Sequence, residues 1–285
     1  MTPVLLIAIK VSVAVLILAI GLGATLQDLL YLWRRPRLLL RALLAMYVLV
    51  PAAAFLLVKV WPLPPGVKAA LLVLAVSAGA PLLPRKLGKL GGSTFTVSLV
   101  VATSLVAIVV VPIWIGLLAR HFNVALELSP VAVAWMIVKA FLLPLAVGMA
   151  LGAAAPAFTA RYANQLAAIA GIALTVGALA LLALHWDIFL AVSWDGLASL
   201  LVLMLIAMAI GHVLGGPEPS DRTALAVACA TRHIGIAAIV ASMLPGPRTI
   251  VILAVYVLAS TLVALPYLRW RRSVAQAQGS LTAPS

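Results

Sequence analysis

The chain alternates long apolar runs with short segments that contain arginine, lysine, proline or glycine. An α-helix needs about 20 apolar residues to cross the hydrocarbon core of a bilayer. Runs of about this length occur nine times, each bounded by charge, proline or glycine. The predicted spans are 3–27, 38–58, 68–90, 94–118, 130–152, 164–184, 194–214, 222–244 and 249–268. The pattern therefore predicts an all-α integral membrane protein with one transmembrane domain over residues 1–272.

The composition supports this interpretation. Of 285 residues, 66% are hydrophobic and 9% are charged, whereas about a quarter of a soluble domain is charged. The first apolar run is longer than the core of a signal peptide and contains Lys10, so we interpret it as a transmembrane helix. The tail 273–285 is rich in Ala, Gln and Ser, and we expect it to be disordered and cytoplasmic.

The basic residues predict the orientation of the spans. The formal net charge is +13, and loops with an excess of Lys and Arg stay in the cytoplasm. With the N-terminus outside, the inside loops carry twelve basic residues and the outside loops carry four. We therefore expect an outside N-terminus and a cytoplasmic C-terminus in the cell membrane, the inner membrane if the source is bacterial. The positive charge then faces anionic lipid rather than nucleic acid.

The third span is interrupted by residues that disturb a helix. They are Ser77, Gly79, Pro81 and Pro84. Proline removes a backbone donor and breaks the helical hydrogen-bond ladder. At membrane depth, the backbone groups freed in this way must face protein or a water-filled cavity. We therefore predict that this span is discontinuous.

The eighth span carries Thr231, Arg232 and His233 at mid-depth. An arginine there costs about 2.5–3.5 kcal/mol on insertion scales, so it faces an interior partner or a cavity. The two interrupted spans lie five spans apart and therefore enter the membrane from opposite sides. Paired interrupted spans in two inverted halves indicate the binding site of a transporter. The layout predicts an inverted repeat with two discontinuous helices that cross.

Four stretches resemble segments of the bile acid:sodium symporter family. They are Gly21–Leu26 followed by Arg35–Arg37, Pro51 on the next span, Val138–Pro144, and Arg222–Ala237. Their order and spacing hold over residues 10–270. The resemblance implies a core domain of spans 2–4 and 7–9 packed against a panel domain of spans 1, 5 and 6.

The resemblance also identifies the positions that hold two sodium ions in typical members of the family. Most of these are replaced here by Met46, Leu82, Leu83, Val100, Ala228, Arg232 and His233, and Thr96 alone keeps a hydroxyl. Ala228 stands where the family has a glutamate, and Arg232 stands where it has a glutamine. Arginine cannot deprotonate and repels a nearby cation. We therefore expect no bound metal, no cofactor and no conventional sodium coupling.

Several polar residues have more than one interpretation. Arg232 replaces the sodium ion, binds an anionic substrate, or pairs with backbone carbonyls without a role in transport. His233 couples proton movement or is a buried structural histidine. Lys139 contacts substrate or pairs with a carboxylate or a helix end, and His212 is substrate-related or structural. Other hydroxyls line the crossing or bond their own backbone: Ser77, Thr96, Ser98, Thr103 and Thr231.

These features predict a secondary transporter that moves a small organic anion by alternating access. Its partners would be that anion and the lipid bilayer, and its oligomeric state is left open. Loss of the sodium ligands also fits a non-transporting membrane sensor, or a lipid- or ligand-binding protein on the same scaffold. An intramembrane enzyme is disfavoured because no predicted span holds a carboxylate at mid-depth and no Ser–His pairing is indicated.

Overall fold

The computed structural model describes residues 2–77, 79, 87, 93–122, 129–190, 192–241 and 248–282. These residues fold almost entirely into helices. The helices are α1 (Thr2–Gly23), α2 (Leu26–Leu30), α3 (Pro36–Val60), α4 (Pro65–Val76), α5 (Ser93–Phe122), α6 (Pro130–Ala154), α7 (Pro156–Leu184), α8 (Trp186–Leu190), α9 (Trp194–Leu214), α10 (Pro219–Ala230), α11 (Ile234–Ala241) and α12 (Arg248–Thr282).

Seven of the described helices are long and apolar enough to cross a bilayer, and α4 is a shorter apolar helix. The all-helical architecture agrees with the prediction from hydropathy. The predicted span 194–214 coincides with α9, whereas the predicted span 222–244 divides into α10 and α11. The third predicted span begins with α4, and its residues Pro81, Leu82, Leu83 and Pro84 lie outside the described residues.

The last helix differs from the expectation of a disordered tail. α12 continues to Thr282, so most of the segment after Arg272 is helical. Ala and Gln are good helix formers. They extend a helix that already exists, so no new helical turn has to be nucleated. Composition alone could not show this, because it does not report what precedes the segment.

Two of the long helices contain a π-helical segment, at Ala45–Leu49 in α3 and at Val138–Leu142 in α6. Each segment is followed closely by a proline, Pro51 in α3 and Pro144 in α6. A π segment breaks the regular hydrogen-bond ladder and is frequent at functional sites. The one in α3 provides an acceptor for the buried cation described below.

Several helices pack closely against each other. α1 packs closely against α6 and α7. α9 packs against α10 and α3, and α4 packs against α3 and α12. The α1–α6 contact depends on glycine, because a Cβ atom on Gly148 would lie 2.3 Å from the Leu18 carbonyl oxygen and 3.0 Å from the Gly21 Cα. Small residues allow membrane helices to approach each other this closely.

Arginine side chains gather at one end of the helices, here called the basic end. There Arg271 of α12 reaches the start of α10, donating from Nε to Thr223 Oγ1 at 2.8 Å and from a terminal nitrogen to the Pro219 carbonyl at 3.0 Å. The start of α3 lies at the same end, beside Glu218 and Asp221. The end carries Arg34, Arg35, Arg37, Arg41, Arg222, Arg269, Arg271 and Arg272.

Replacing Gly148 with alanine should destabilise the protein. The new Cβ would meet backbone atoms of α1, so the helices must separate, at a cost of about 1–3 kcal/mol. Thermal unfolding of the purified protein, followed by tryptophan fluorescence, should show a lower midpoint for Gly148→Ala. Gly116→Ala is the matched control, since a Cβ on Gly116 has no neighbouring atom within 4 Å. Equal midpoints for the two variants would contradict the close α1–α6 contact.

Candidate functional site

The chain becomes extended where α4 and α10 end. Ser77 follows α4 at φ −71° and ψ 156°, and Thr231 follows α10 at φ −112° and ψ 114°. Gly79 and Arg232 then form an antiparallel β-bridge. We call Ser77 with Gly79, and Thr231–His233, the two crossing segments. Helix termini carry unpaired backbone groups, so the crossing brings several of them together inside the protein.

Hydroxyl groups at the crossing are used by their own helices. Ser77 Oγ donates to the Val73 carbonyl at 2.8 Å, and Thr231 Oγ1 donates to the Val227 carbonyl at 2.7 Å. Thr103 Oγ1 likewise donates to the Leu99 carbonyl at 2.7 Å. These bonds match the local-backbone interpretation of the three hydroxyls. Their donor hydrogens therefore already have an acceptor within their own helices.

Arg232 joins three separate elements through its guanidinium group. One terminal nitrogen donates to the Ser77 carbonyl at 3.0 Å, and the other donates to the Met46 carbonyl at 3.3 Å. The Arg232 side chain is only 4% exposed. The carbonyls at the end of α4 carry the partial negative charge of a helix C-terminus, which favours a cation there. The arginine therefore binds the end of α4, the π segment of α3 and its own crossing segment together.

Pro51 explains why the Met46 and Tyr47 carbonyls of α3 can accept hydrogen bonds from other elements. Proline has no N–H, so residue 51 cannot donate to the carbonyl of Tyr47 in an α-helical register or of Met46 in a π-helical register. The next available donor, the Val50 N–H, is bonded to the Ala45 carbonyl. The Tyr47 carbonyl instead accepts from Trp114 Nε1 at 2.9 Å, and the Met46 carbonyl accepts from Arg232.

Two tyrosines support the crossing and were not identified from the sequence. The Tyr256 hydroxyl accepts from the Arg232 backbone N–H and donates to the Ala230 carbonyl at 2.7 Å. It thereby pairs two backbone groups that are freed where α10 stops. The Tyr47 hydroxyl donates to the Thr103 carbonyl. A tyrosine well inside a predicted apolar span was the available signal, because its buried hydroxyl needs a partner.

The two ring nitrogens of His233 differ in their hydrogen bonding among the described residues. Nδ1 accepts from the Ile236 N–H at 3.3 Å, which caps the start of α11. The neutral ring therefore carries its proton on Nε2. Nε2 is buried and has no hydrogen-bond partner among the described residues. The ring lies edge-on to Phe141 of α6, with 6.0 Å between the ring centroids.

Three of the described positions that the family resemblance assigns to sodium are apolar and buried here. Met46, Val100 and Ala228 have no exposed surface. Two of them enclose the crossing, since a Cβ atom on Gly79 would lie 3.2 Å from Met46 Cε and 3.8 Å from Ala228 Cβ. Thr96 keeps a buried hydroxyl for which the described residues provide no partner. Among the described residues, no three His, Cys, Asp or Glu side chains form a group that could hold a metal.

Two predicted candidates do not reach the crossing. Lys139 is exposed on α6, two residues from the buried Phe141 and therefore on the opposite side of the helix. His212 Nδ1 pairs with the Tyr267 hydroxyl at 2.7 Å, and its ring lies against Trp270. His212 therefore has a structural environment, and the placement of Lys139 gives it no contact with Arg232 or His233.

Comparison with known proteins identifies one protein family that matches the sequence. The sequence profile described as the sodium bile acid symporter family matches residues 10–192, which is more than half of the chain. The matched range runs from within α1 to the end of α8 and includes Met46, Ser77 and Gly79. It ends before α9, so Arg232 and His233 lie beyond it. No curated protein matches the chain.

Replacing Tyr256 with phenylalanine should destabilise the crossing. The Arg232 N–H and the Ala230 carbonyl would be left unpaired in a buried setting, at a cost of about 1–3 kcal/mol. The unfolding midpoint of Tyr256→Phe should fall by several degrees. Tyr162→Phe is the control, because Tyr162 is 37% exposed on α7. A midpoint for Tyr256→Phe equal to that of the control would show that the hydroxyl is dispensable.

Proposed function

The chain belongs to the sodium bile acid symporter family, and from that premise we propose that it is a secondary transporter of a small organic anion. It works by alternating access and without conventional sodium coupling. The observation that carries the proposal is the pair of hydrogen bonds from Arg232 to the Ser77 and Met46 carbonyls. In this proposal, the guanidinium group of Arg232, which is covalently part of the chain, replaces a sodium ion that could dissociate.

The chemistry of the crossing supports the replacement of sodium by the Arg232 guanidinium. Backbone carbonyls are hard oxygen ligands of the kind that small cations require. Here they bond to guanidinium N–H groups instead. A second unit charge about 4 Å from the guanidinium would be repelled, by roughly 4 kcal/mol at an effective dielectric constant of 20. The neighbouring side chains Met46, Val100 and Ala228 offer no oxygen to offset this cost.

The spacing of the helices supports an inverted repeat. α10 starts at 219 and ends at 230, and α4 starts at 65 and ends at 76, so both boundaries differ by 154 residues. The starts of α1 and α7, at 2 and 156, and the ends of α3 and α9, at 60 and 214, differ by the same interval. The antiparallel bridge between the crossing segments fits halves of opposite direction. Inverted repeats are a common basis of alternating access.

We assign α1, α6 and α7 to a panel and the remaining long helices to a core. Close packing within the α1, α6 and α7 group supports this division. The crossing lies beside the panel, since His233 faces Phe141 of α6 and a Cβ on Gly235 would lie 2.8 Å from Val13 Cγ1 of α1. Rocking of core against panel would expose this junction to each side of the membrane in turn.

His233 supports an anionic substrate. Its Nε2–H is a buried donor without an acceptor in the part of the chain that the structure describes, and an unpaired buried donor costs about 1–3 kcal/mol. A carboxylate or another oxyanion at the junction would satisfy it. The start of α11, one residue later, adds the positive end of a helix, and Arg232 adds a full charge. These groups together favour an oxyanion over a neutral or cationic substrate.

The basic end supports the predicted orientation. The end of α1 leads toward it, and the arginines of α12 lie on it. Since basic segments stay in the cytoplasm, we place the basic end inside the cell, the N-terminus outside and the C-terminus inside.

Uptake into proteoliposomes tests the function. Across a panel of radiolabelled small organic anions, at least one should be taken up at equal rates in sodium and in choline buffer. His233→Phe keeps a ring against Phe141 but removes the Nε2 donor, so the KM should rise about tenfold. His121→Phe, an exposed histidine at the end of α5, is the control. Binding of an anion without flux would favour a sensor or ligand-binding protein instead, and sodium-dependent uptake would contradict the role of Arg232.

Thermal stability tests the replacement of sodium by Arg232 independently of transport. Arg232→Gln leaves the Ser77 and Met46 carbonyls without their partner, so its unfolding midpoint should fall by several degrees. The exposed Arg34→Gln is the control. The double variant Ala228→Glu, Arg232→Gln restores the glutamate and the glutamine that typical members have at two of the sodium positions, and sodium should raise its midpoint while leaving the parent unchanged. The proposal fails if Arg232→Gln melts like the parent or if the parent itself is stabilised by sodium.

A further inference from the structure

A second charged site lies at the basic end, apart from the crossing. A cavity of about 570 Å³ opens between the start of α3 and the start of α10. Its charged lining consists of Arg35, Arg37, Arg41, Glu218 and Asp221. Arginines outnumber carboxylates in this lining, so the cavity attracts an anion.

Two helix starts add to that attraction. α3 begins at Pro36 after Arg35, and α10 begins at Pro219 after Glu218. Neither Arg35 nor Glu218 caps its helix with a side-chain hydrogen bond. The first N–H groups of a helix bind anions because they are unpaired and carry partial positive charge. Pro36 and Pro219 have no N–H, and the Leu38 N–H is bonded to the Arg35 carbonyl. The helix starts therefore contribute chiefly the positive ends of their dipoles, and the guanidinium groups, which bind phosphate in a bidentate manner, provide the hydrogen bonds.

Arg37 and Arg41 are available for a ligand. Both side chains are exposed, and they are four residues apart on α3, so they project from one face of the helix. Arg35 has a partner, because its guanidinium carbon lies 4.3 Å from the centre of the Tyr31 ring. That contact holds Arg35 at the cavity wall and leaves the other two as the adaptable ligands.

The surface below the cavity distinguishes a lipid from a soluble anion. Leu40, Leu44 and Val48 are 66%, 44% and 49% exposed. Their spacing of four residues makes a continuous apolar stripe that leads away from Arg37 and Arg41 along α3. Free phosphate has no apolar part that could contact this stripe, whereas a phospholipid carries acyl chains next to its phosphate group. Trp33 precedes Arg35 by two residues and is 47% exposed; a tryptophan is typical of the headgroup level of a membrane.

From these observations we propose that the cavity binds the phosphate group of an anionic phospholipid, with an acyl chain along the α3 stripe. The lipid would connect the start of α3 to the start of α10. α3 also contacts the crossing segment that follows α10, because the Met46 carbonyl of α3 accepts from Arg232. Binding at the basic end therefore stabilises the arrangement that places Arg232, and it does so whether or not the protein transports an anion.

The full-length protein, purified in an uncharged detergent, provides the test. Short-chain phosphatidylglycerol should raise the unfolding midpoint in a saturable manner. Phosphatidylcholine of the same chain length and inorganic phosphate should not. A basic residue near a membrane contributes about 1 kcal/mol to anionic-lipid binding. Arg37→Gln with Arg41→Gln should therefore weaken the apparent affinity about thirtyfold.

Arg34→Gln with Arg272→Gln removes the same amount of charge from the same end. Neither residue belongs to the cavity lining, so this double variant should bind the lipid like the parent. Glu218→Gln removes a repelling carboxylate and should tighten binding severalfold. Equal effects of the two double variants, or equal shifts with phosphatidylcholine, would overturn the proposal. A matching shift with inorganic phosphate would overturn the lipid assignment in favour of a soluble anion.

Discussion

The structure depends on the buried guanidinium group of Arg232, which needs oxygen acceptors within the membrane-spanning part of the protein. A buried cation without partners would cost several kcal/mol, and the described part of the crossing offers Arg232 no carboxylate. Its partners are instead the carbonyls of Ser77 and Met46, which regular helices would have kept for themselves. The interruption of α4 frees one of these, and Pro51 frees the other. The breaks in the helices and the buried charge therefore satisfy each other.

The same interdependence extends outward from the crossing. Tyr256 pairs the backbone groups of α10 that Arg232 does not reach, and Trp114 pairs the second carbonyl that Pro51 releases. Each is a long side chain from a neighbouring helix that carries a single polar group at its tip. Such groups supply hydrogen bonds without bringing further charge into the interior. The crossing is thus polar at its centre and enclosed by apolar residues such as Met46 and Ala228.

Hydropathy predicted most of the helices, because a bilayer imposes a fixed length on every apolar segment that crosses it. It located α9 to the residue and the interruption between α10 and α11. It also identified Arg232 as the unusual residue, since charge at mid-depth is rare. It could not name the partners of Arg232, which lie 155 and 186 residues away along the chain. Pro51 was visible as a missing donor, but only the packed structure shows which groups use the carbonyls that it leaves free.

The tethering of Arg232 has an energetic consequence. An ion gradient can perform work only if the ion is released on the far side of the membrane, and a side chain cannot be released. A carrier built on this crossing that couples to no other ion would therefore move its anion down that anion's own electrochemical gradient. A membrane potential contributes about 2.3 kcal/mol per elementary charge for each 100 mV. In a cell with a negative interior, this contribution favours export, the reverse of the uptake that sodium coupling would drive.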